Sequence, residues 1–141
     1  MLELFAGSGT LSILLARGAA SFVAVESDDA SARSARENLA ARDLVGKVVA
    51  TDADAYPIPP RVDVVVLDPP RAGAEGATAA IATSRVQRIV YVACDPATLA
   101  RDLGVLVRAG FALTHLETVE LFPQTSHVET VARLVRRRGA R

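Results

Sequence analysis

The 141-residue chain reads as an α/β domain: a doubly wound, mostly parallel seven-stranded sheet closed by a C-terminal antiparallel hairpin. Three observations predict this. Short runs rich in Val, Leu and Ala alternate with helical patterns, and strands that are apolar on both faces belong in a parallel sheet covered by helices on both sides. The last two apolar runs follow each other with only a short link, so they must pair antiparallel. Glycines, acids and the one cysteine collect immediately after the apolar runs, at the strand ends where ligands of such sheets bind.

Each element has its own signal. Residues 2–5 read as the first strand, followed by a glycine turn at 6–9 and a helix over 11–17 that stops near Gly18. Residues 21–26 form the second strand. The helix over 28–43 is capped by Asp28 or Asp29 and carries Ala32, Ala35 and Leu39 at helical spacing. Residues 47–51 and 62–67 are the third and fourth strands, and two prolines and Gly73 break the chain after Asp68. A short helix at 77–84 leads to the fifth strand, 88–93. The helix over 96–108 places Leu99, Leu103, Leu106 and Val107 on one side. Residues 111–121 and 127–135 are the final strands, joined by 122–126.

Size and composition set bounds. A chain of this length is one domain and can bury roughly 70% of its unfolded surface. Half of the residues are hydrophobic, but no apolar run approaches the roughly 20 residues of a membrane helix. The start, MLELFAGSGT, lacks the basic and long apolar stretches of a secretory leader. Cys94 is the sole cysteine, which excludes an internal disulfide and a cysteine-based metal cluster. A cytoplasmic location is the expectation. Charge is uneven: residues 1–70 hold six basic and ten acidic side chains, residues 71–141 ten and six. Arg supplies fifteen of the sixteen basic residues, which suits phosphate contacts and equally suits a GC-rich genome. The Arg136, Arg137, Arg138 run reads as a frayed tail.

The strand ends carry the chemistry. In LFAGSGT, Gly7 and Gly9 allow a sharp turn and close approach of backbone to a ligand, although Ser12 stands where a dinucleotide fingerprint needs its third glycine. A plain tight turn explains the stretch as well. Glu26 closes the second strand 17 residues after Gly9, where a carboxylate accepts hydrogen bonds from ribose hydroxyls; the alternative is an acid belonging to the helix cap. Asp52 and Asp54 follow the third strand, and Asp52, directly after it, is the better candidate for an adenine edge. In DPPR two prolines stiffen the loop that presents Asp68 and Arg71, a pair suited to hydrogen bonding a planar base.

Cys94 has two readings. Free cysteine is commonly a small buried hydrophobe. Yet this one ends a strand, Pro96 fits the first turn of the next helix, and the positive end of that helix favours a thiolate. Asp95 opposes a thiolate unless its side chain caps the helix instead. Glu129 interrupts the apolar stretch VETVARLV on the face shared with Val131 and Arg133, where an acid must be solvated, paired or used. His127, in a polar turn, is a weak candidate for a base.

A parallel sheet with a terminal hairpin points to the Rossmann-like fold of class I, S-adenosylmethionine-dependent methyltransferases. Within that fold LELFAGSGTLSILLA, VLDPPRAGA, VYVACDPATLARDL and LFPQTSHVETV resemble, in order and across nearly the whole chain, the bacterial RNA uridine-5 methyltransferases. The resemblance implies S-adenosylmethionine as cofactor, rRNA or tRNA as partner, and transfer of a methyl group to C5 of a uridine through a covalent cysteine–C6 adduct. It makes Cys94 the nucleophile and Glu129 the base. It places Phe5, Gly7, Gly9, Thr10, Glu26, Asp52 and Asp68 against the cofactor, with Asp68 also beside the target base. The chain departs from the pattern at Asp95, where the family has Asn. It also lacks the N-terminal RNA-binding β-barrel of many members and the iron–sulfur region of some, so a catalytic domain without its RNA-binding segments is expected. Two rivals keep the fold: an adenine-N methyltransferase, in which an aromatic usually stands at the place of Arg71, and an inactive cofactor-binding remnant.

Overall fold

The computed structural model describes residues 1–119, 129–137 and 139. Seven strands, β1 (Leu2–Leu4), β2 (Val23–Glu26), β3 (Lys47–Ala50), β4 (Val64–Leu67), β5 (Arg88–Ala93), β6 (Phe111–Val119) and β7 (Glu129–Arg136), form one sheet in the order β3-β2-β1-β4-β5-β7-β6. The first five are parallel. β7 runs antiparallel to both of its neighbours, so the last strand in sequence lies between β5 and β6. The doubly wound sheet and its hairpin are therefore present as expected. The 122–126 link and His127 lie outside the described residues.

Four helices cover the sheet: α1 (Thr10–Arg17), α2 (Asp29–Ala40), α3 (Glu75–Thr83) and α4 (Pro96–Arg108). α1 packs on α2, and α3 on α4. Each pair seals one face. On one side Ala16, Phe22, Ala24, Ala32, Ala35, Leu39 and Val48 form a small-residue core. On the other, Leu2, Leu4, Leu67, Ile81, Ile89, Tyr91, Leu99, Leu106, Phe111 and Leu134 form a larger one. β2 and β3 contribute to both cores: Ala24 and Val48 belong to the smaller one, while Val25 belongs to the larger and Val49 packs against it, as a sheet buried on both faces requires.

Local signals explain most boundaries. Asp28 caps α2 by accepting the Ser31 amide at 2.8 Å; Asp95 caps α4 by accepting the Ala97 and Thr98 amides at 2.9 Å each. Both carboxyls are held below their ordinary range, Asp28 by the Ser31 side chain and then its amide, Asp95 chiefly by the Thr98 amide. α3 starts two residues before the predicted position because Asp54, distant in sequence, accepts the Gly76 and Ala77 amides at 3.1 and 2.8 Å. α4 differs in its buried stripe. Leu99, Asp102 and Leu106 face inward while Val107 is exposed, so a carboxylate occupies a place expected to be apolar.

Arg136 and Arg137 also depart from the reading of a frayed tail; Arg138 lies outside the described residues. Arg136 ends β7 with its guanidinium 4.1 Å over the Phe111 ring, donating to the carbonyls of Val86, Ser84 and Ala109 at 2.8, 3.0 and 3.3 Å. The Arg137 amide donates to Gly110 O at 2.9 Å. The end of β7 is stapled to the start of β5 and the end of α4.

Candidate functional site

The backbone after β1 reverses through three positive-φ residues: Phe5 (φ 60°), Gly7 (φ 55°) and Gly9 (φ 85°). The two glycines serve different ends. A side chain at Gly7 would point into open space, whereas a Cβ at Gly9 would lie 3.0 Å from Ala35 on α2. Gly7 leaves room over the turn; Gly9 lets α1 and α2 approach. At Gly9 the missing side chain makes room for α2 rather than for open space. Thr10 begins α1 and is exposed.

Glu26 connects the turn to β2. One carboxylate oxygen accepts the Gly7 amide at 2.7 Å and the other accepts the Asp28 amide at 2.8 Å. The acid thereby shapes the turn as well as facing the cleft. That cleft, of about 520 Å³, is lined by Phe5, Glu26, Asp52 and Asp68 together with Pro70 and Gly73. Four of the predicted cofactor contacts meet in it. Asp52 is exposed and accepts the Asp54 amide at 2.9 Å. Asp54 also lines the cleft, and its carboxylate accepts the Gly76 and Ala77 amides at the start of α3. A larger cavity, about 650 Å³, lies at the opposite end of the sheet and is lined by Ser84, Gln87, Arg108 and Arg136. None of the predicted site residues touches it.

Cys94 follows β5 directly and is half-buried. It is neither sealed in the core nor fully open. Asp95 turns away to cap α4, which answers the question that the Asp-for-Asn departure raised. Glu129 opens β7, also half-buried. The β5–β7 register ends at Ala93 opposite Thr130, so Cys94 and Glu129 are the next residues outward on the two segments and lie at the same end of the sheet. Along β7, Thr130, Ala132 and Leu134 are buried while Glu129, Val131 and Arg133 take the other face, the predicted alternation.

Asp68 relates Glu129 to the cleft. It lines the cleft, and its carboxyl is raised above the ordinary range by partial desolvation and then by the negative charge of Glu129. Its side chain is open to the cleft, yet surrounding atoms keep it from full hydration. Behind it sits Glu3, 2% exposed, which accepts a hydrogen bond from Ser12 Oγ. Burial pushes the Glu3 carboxyl up to about 7, against the Ser12 bond, and Asp68 adds to the rise. Sequence reasoning missed both Glu3 and Asp102. Each had a signal: Glu3 is the charge between two core leucines in β1, and Asp102 stands on the stripe of Leu99 and Leu106. Among the described residues no cluster of His, Cys, Asp and Glu could hold a metal ion, and no helix is long and apolar enough to cross a membrane.

A sheet of order 3-2-1-4-5-7-6 with a glycine turn after β1, an acid ending β2 and a cleft at the strand ends defines a class I, Rossmann-like methyltransferase fold. The chain belongs to the tRNA (uracil-5-)-methyltransferase family, whose model matches residues 59–137. A second model, described as conserved hypothetical protein 95, matches residues 1–97. Among similar proteins, an uncharacterized RNA methyltransferase of Gloeobacter violaceus is 43% identical over 96% of this chain and 30% of its own length. The 23S rRNA (uracil(1939)-C(5))-methyltransferase RlmD of Pectobacterium carotovorum is 38% identical over 100% of this chain and 33% of its own. The structure of the Pyrococcus abyssi tRNA (uracil-54, C5)-methyltransferase in complex with S-adenosyl-L-homocysteine superposes with a TM-score of 0.86 at 30% identity, covering 95% of this chain and 33% of that one. The chain spans about a third of the length of these relatives.

Proposed function

We propose that this chain is the catalytic domain of an S-adenosylmethionine-dependent RNA methyltransferase that modifies C5 of a uridine in rRNA or tRNA through a covalent bond from Cys94 to C6. The observation that supports the reading is the β5–β7 register, which ends at Ala93 and Thr130 and so leaves Cys94 and Glu129 at the same end of the sheet, with Asp68 coupled to Glu129 and lining the cleft. Family membership and the position of Cys94 favour uracil over adenine as the target.

The cleft suits the cofactor in size and chemistry. Its volume of about 520 Å³ lies within the range of roughly 300–1,000 Å³ usual for small-molecule sites. Glu26 Oε2 keeps a lone pair beyond its bond from the Gly7 amide and can accept from a ribose hydroxyl, whereas Oε1 already accepts from the Asp28 amide and Ser27 Oγ. Phe5 offers an apolar wall, and Asp52 an acceptor for an amino group. When bound there, S-adenosylmethionine supplies the electrophilic methyl group that C5 captures.

The protein's own residues make C5 reactive. C5 of uracil is a weak nucleophile. Addition of the Cys94 sulfur to C6 shifts the C5–C6 electron pair toward C5 and O4, and C5 becomes electron-rich. Asp68 and Arg71 hydrogen-bond the edge of the ring and hold its face toward the attacking sulfur. After methylation Glu129 takes the proton from C5, the double bond re-forms and the Cys94 thiolate leaves. The uridine must swing out of any stack to reach the two side chains.

The test is covalent trapping. RNA containing 5-fluorouridine should give a stable protein–RNA adduct on denaturing gels in the presence of S-adenosylmethionine, because fluorine cannot be removed as a proton. Cys94→Ala should give none. An adduct that survives this substitution refutes the assignment.

A further inference from the structure

Asp102 is a buried carboxylate that the proposed reaction does not use directly. It is 0% exposed, lies on α4 between Leu99 and Leu106, and does not line the cleft. A carboxylate in such a place costs several kcal/mol unless its oxygens are fully bonded. They are. Oδ2 accepts from Tyr91 Oη at 2.6 Å and from the Ala74 amide at 2.8 Å. Oδ1 accepts from Arg101 Nε at 2.8 Å, and Arg101 Nη2 lies 2.8 Å from the same oxygen.

These bonds converge on the loop that follows Asp68. Arg101 Nη2 also donates to Ala72 O at 3.0 Å, and Thr98 Oγ1 donates to Arg71 O at 3.0 Å. Gly73 sits between the fixed points with φ +81°; a Cβ there would come within 2.5 Å of Arg101 Nη2 and 2.7 Å of Asp102 Oδ2. The backbone at residues 71, 72 and 74 is therefore held by three consecutive contact points of α4, Thr98, Arg101 and Asp102. That helix is capped by the residue next to Cys94, and Tyr91 lies three residues before Cys94 on β5. Burial and the Asp102 carboxylate hold the Tyr91 phenol far above its ordinary range, so it stays a donor.

We propose that Asp102 is a positioning residue: through Tyr91, Arg101 and the Ala74 amide it locks the loop bearing Asp68 and Arg71 to the element bearing Cys94, and so sets where the uracil ring lies relative to the attacking sulfur. The inference rests on the uracil-C5 reading for its catalytic consequence, but the lock itself is a property of the free chain. An attack geometry wrong by about 1 Å is enough to cost on the order of 100-fold in rate while leaving binding intact.

The experiment compares wild type, Asp102→Asn and Tyr91→Phe on two readouts. The first needs no RNA: hydrogen exchange at the Ala74 amide should speed up at least tenfold in Asp102→Asn while amides of β1 and α2 are unchanged. The second is methylation kinetics. Asp102→Asn should lower kcat by about 10–100-fold, with KM for RNA and the affinity for S-adenosylhomocysteine changed less than threefold. Tyr91→Phe, which removes one donor only, should show the same pattern at smaller size and serves if Asp102→Asn does not fold. A kcat unchanged in folded variants, or losses in kcat and cofactor affinity that rise together, overturns the proposal. Wild type that neither methylates uridine nor forms the fluorouridine adduct overturns the uracil reading instead, and the lock then stands or falls on Ala74 exchange alone.

Discussion

Ala93 and Thr130 are the last pair of the β5–β7 ladder, and the next residue outward is Cys94 on one segment and Glu129 on the other. The proposed nucleophile and the proposed base thus lie at the same end of two neighbouring segments that run in opposite directions. If Glu129 removes the C5 proton, Glu129→Gln should complete methyl transfer and then stall. The expected outcome is a methylated protein–RNA adduct from ordinary uridine RNA, with turnover reduced at least 100-fold, the size usual for loss of a general base. Mass spectrometry of the quenched reaction detects it. Undiminished turnover sinks the role.

Glu26 should matter to the cofactor more than to the fold. Glu26→Ala removes the acceptor for the Gly7 and Asp28 amides, and with it the proposed ribose contact. Affinity for S-adenosylhomocysteine should fall at least tenfold, about 1.4 kcal/mol, while stability falls by about 1 kcal/mol. Titration calorimetry beside chemical denaturation separates the two. An unchanged affinity would move the cofactor out of this cleft.

The two glycines of the turn should respond oppositely. Gly9→Ala meets Ala35 at 3.0 Å in addition to the strain of φ 85° and should cost about 2–4 kcal/mol of stability. Gly7→Ala has open space and should cost only the left-handed backbone term, about 1–2 kcal/mol, but its methyl group occupies the side from which a ligand approaches. Urea denaturation should rank Gly9→Ala as the less stable variant. The reverse ranking would contradict the packing account.

Glu3 makes a pH prediction. Its carboxyl is raised from 4.5 to about 7 in the folded chain, so the native state holds this proton more tightly than the unfolded one. Below pH 4.5 the group is protonated in both states and costs nothing. Between 4.5 and 7 the unfolded state ionises first, and stability falls as pH rises, by about 3 kcal/mol in all. Asp68, raised as well, adds in the same direction. Glu3→Gln should therefore be the flatter of the two curves when unfolding free energy is measured from pH 4 to 8, with its largest advantage over wild type above pH 7. Parallel curves for the two proteins would show that Glu3 does not titrate in this window.

Much of this was legible in the amino-acid sequence, for reasons that differ from element to element. Strands such as Arg88–Ala93 and the helix Pro96–Arg108 have sharp chemical ends, an apolar run before Cys94 and an Asp-Pro start, and their predicted bounds match the structure. The start of α3 was not readable locally, because the side chain that fixes it, Asp54, lies on a different segment. Asp102 was hidden for a similar reason. Its partners Tyr91 and Ala74 come from a strand and a loop that only the folded sheet brings together. Gly9 was visible as a turn residue, but its closeness to Ala35 is a tertiary fact. The cluster of candidates at the strand ends survived because it follows from topology: parallel strands deliver their carboxyl ends to one side, whatever the details of the loops between.

The placement of β7 between β5 and β6 has a consequence for biogenesis. A ribosome releases β5 long before β7, so during synthesis the nascent domain carries an unsatisfied edge at the very strand that leads to Cys94. Closure of that edge and arrival of Glu129 are one event. Newly made molecules cannot bring Cys94 and Glu129 to the same end of the sheet before the sheet itself is finished, and any cleavage that removes β7 uncovers the edge of β5 again.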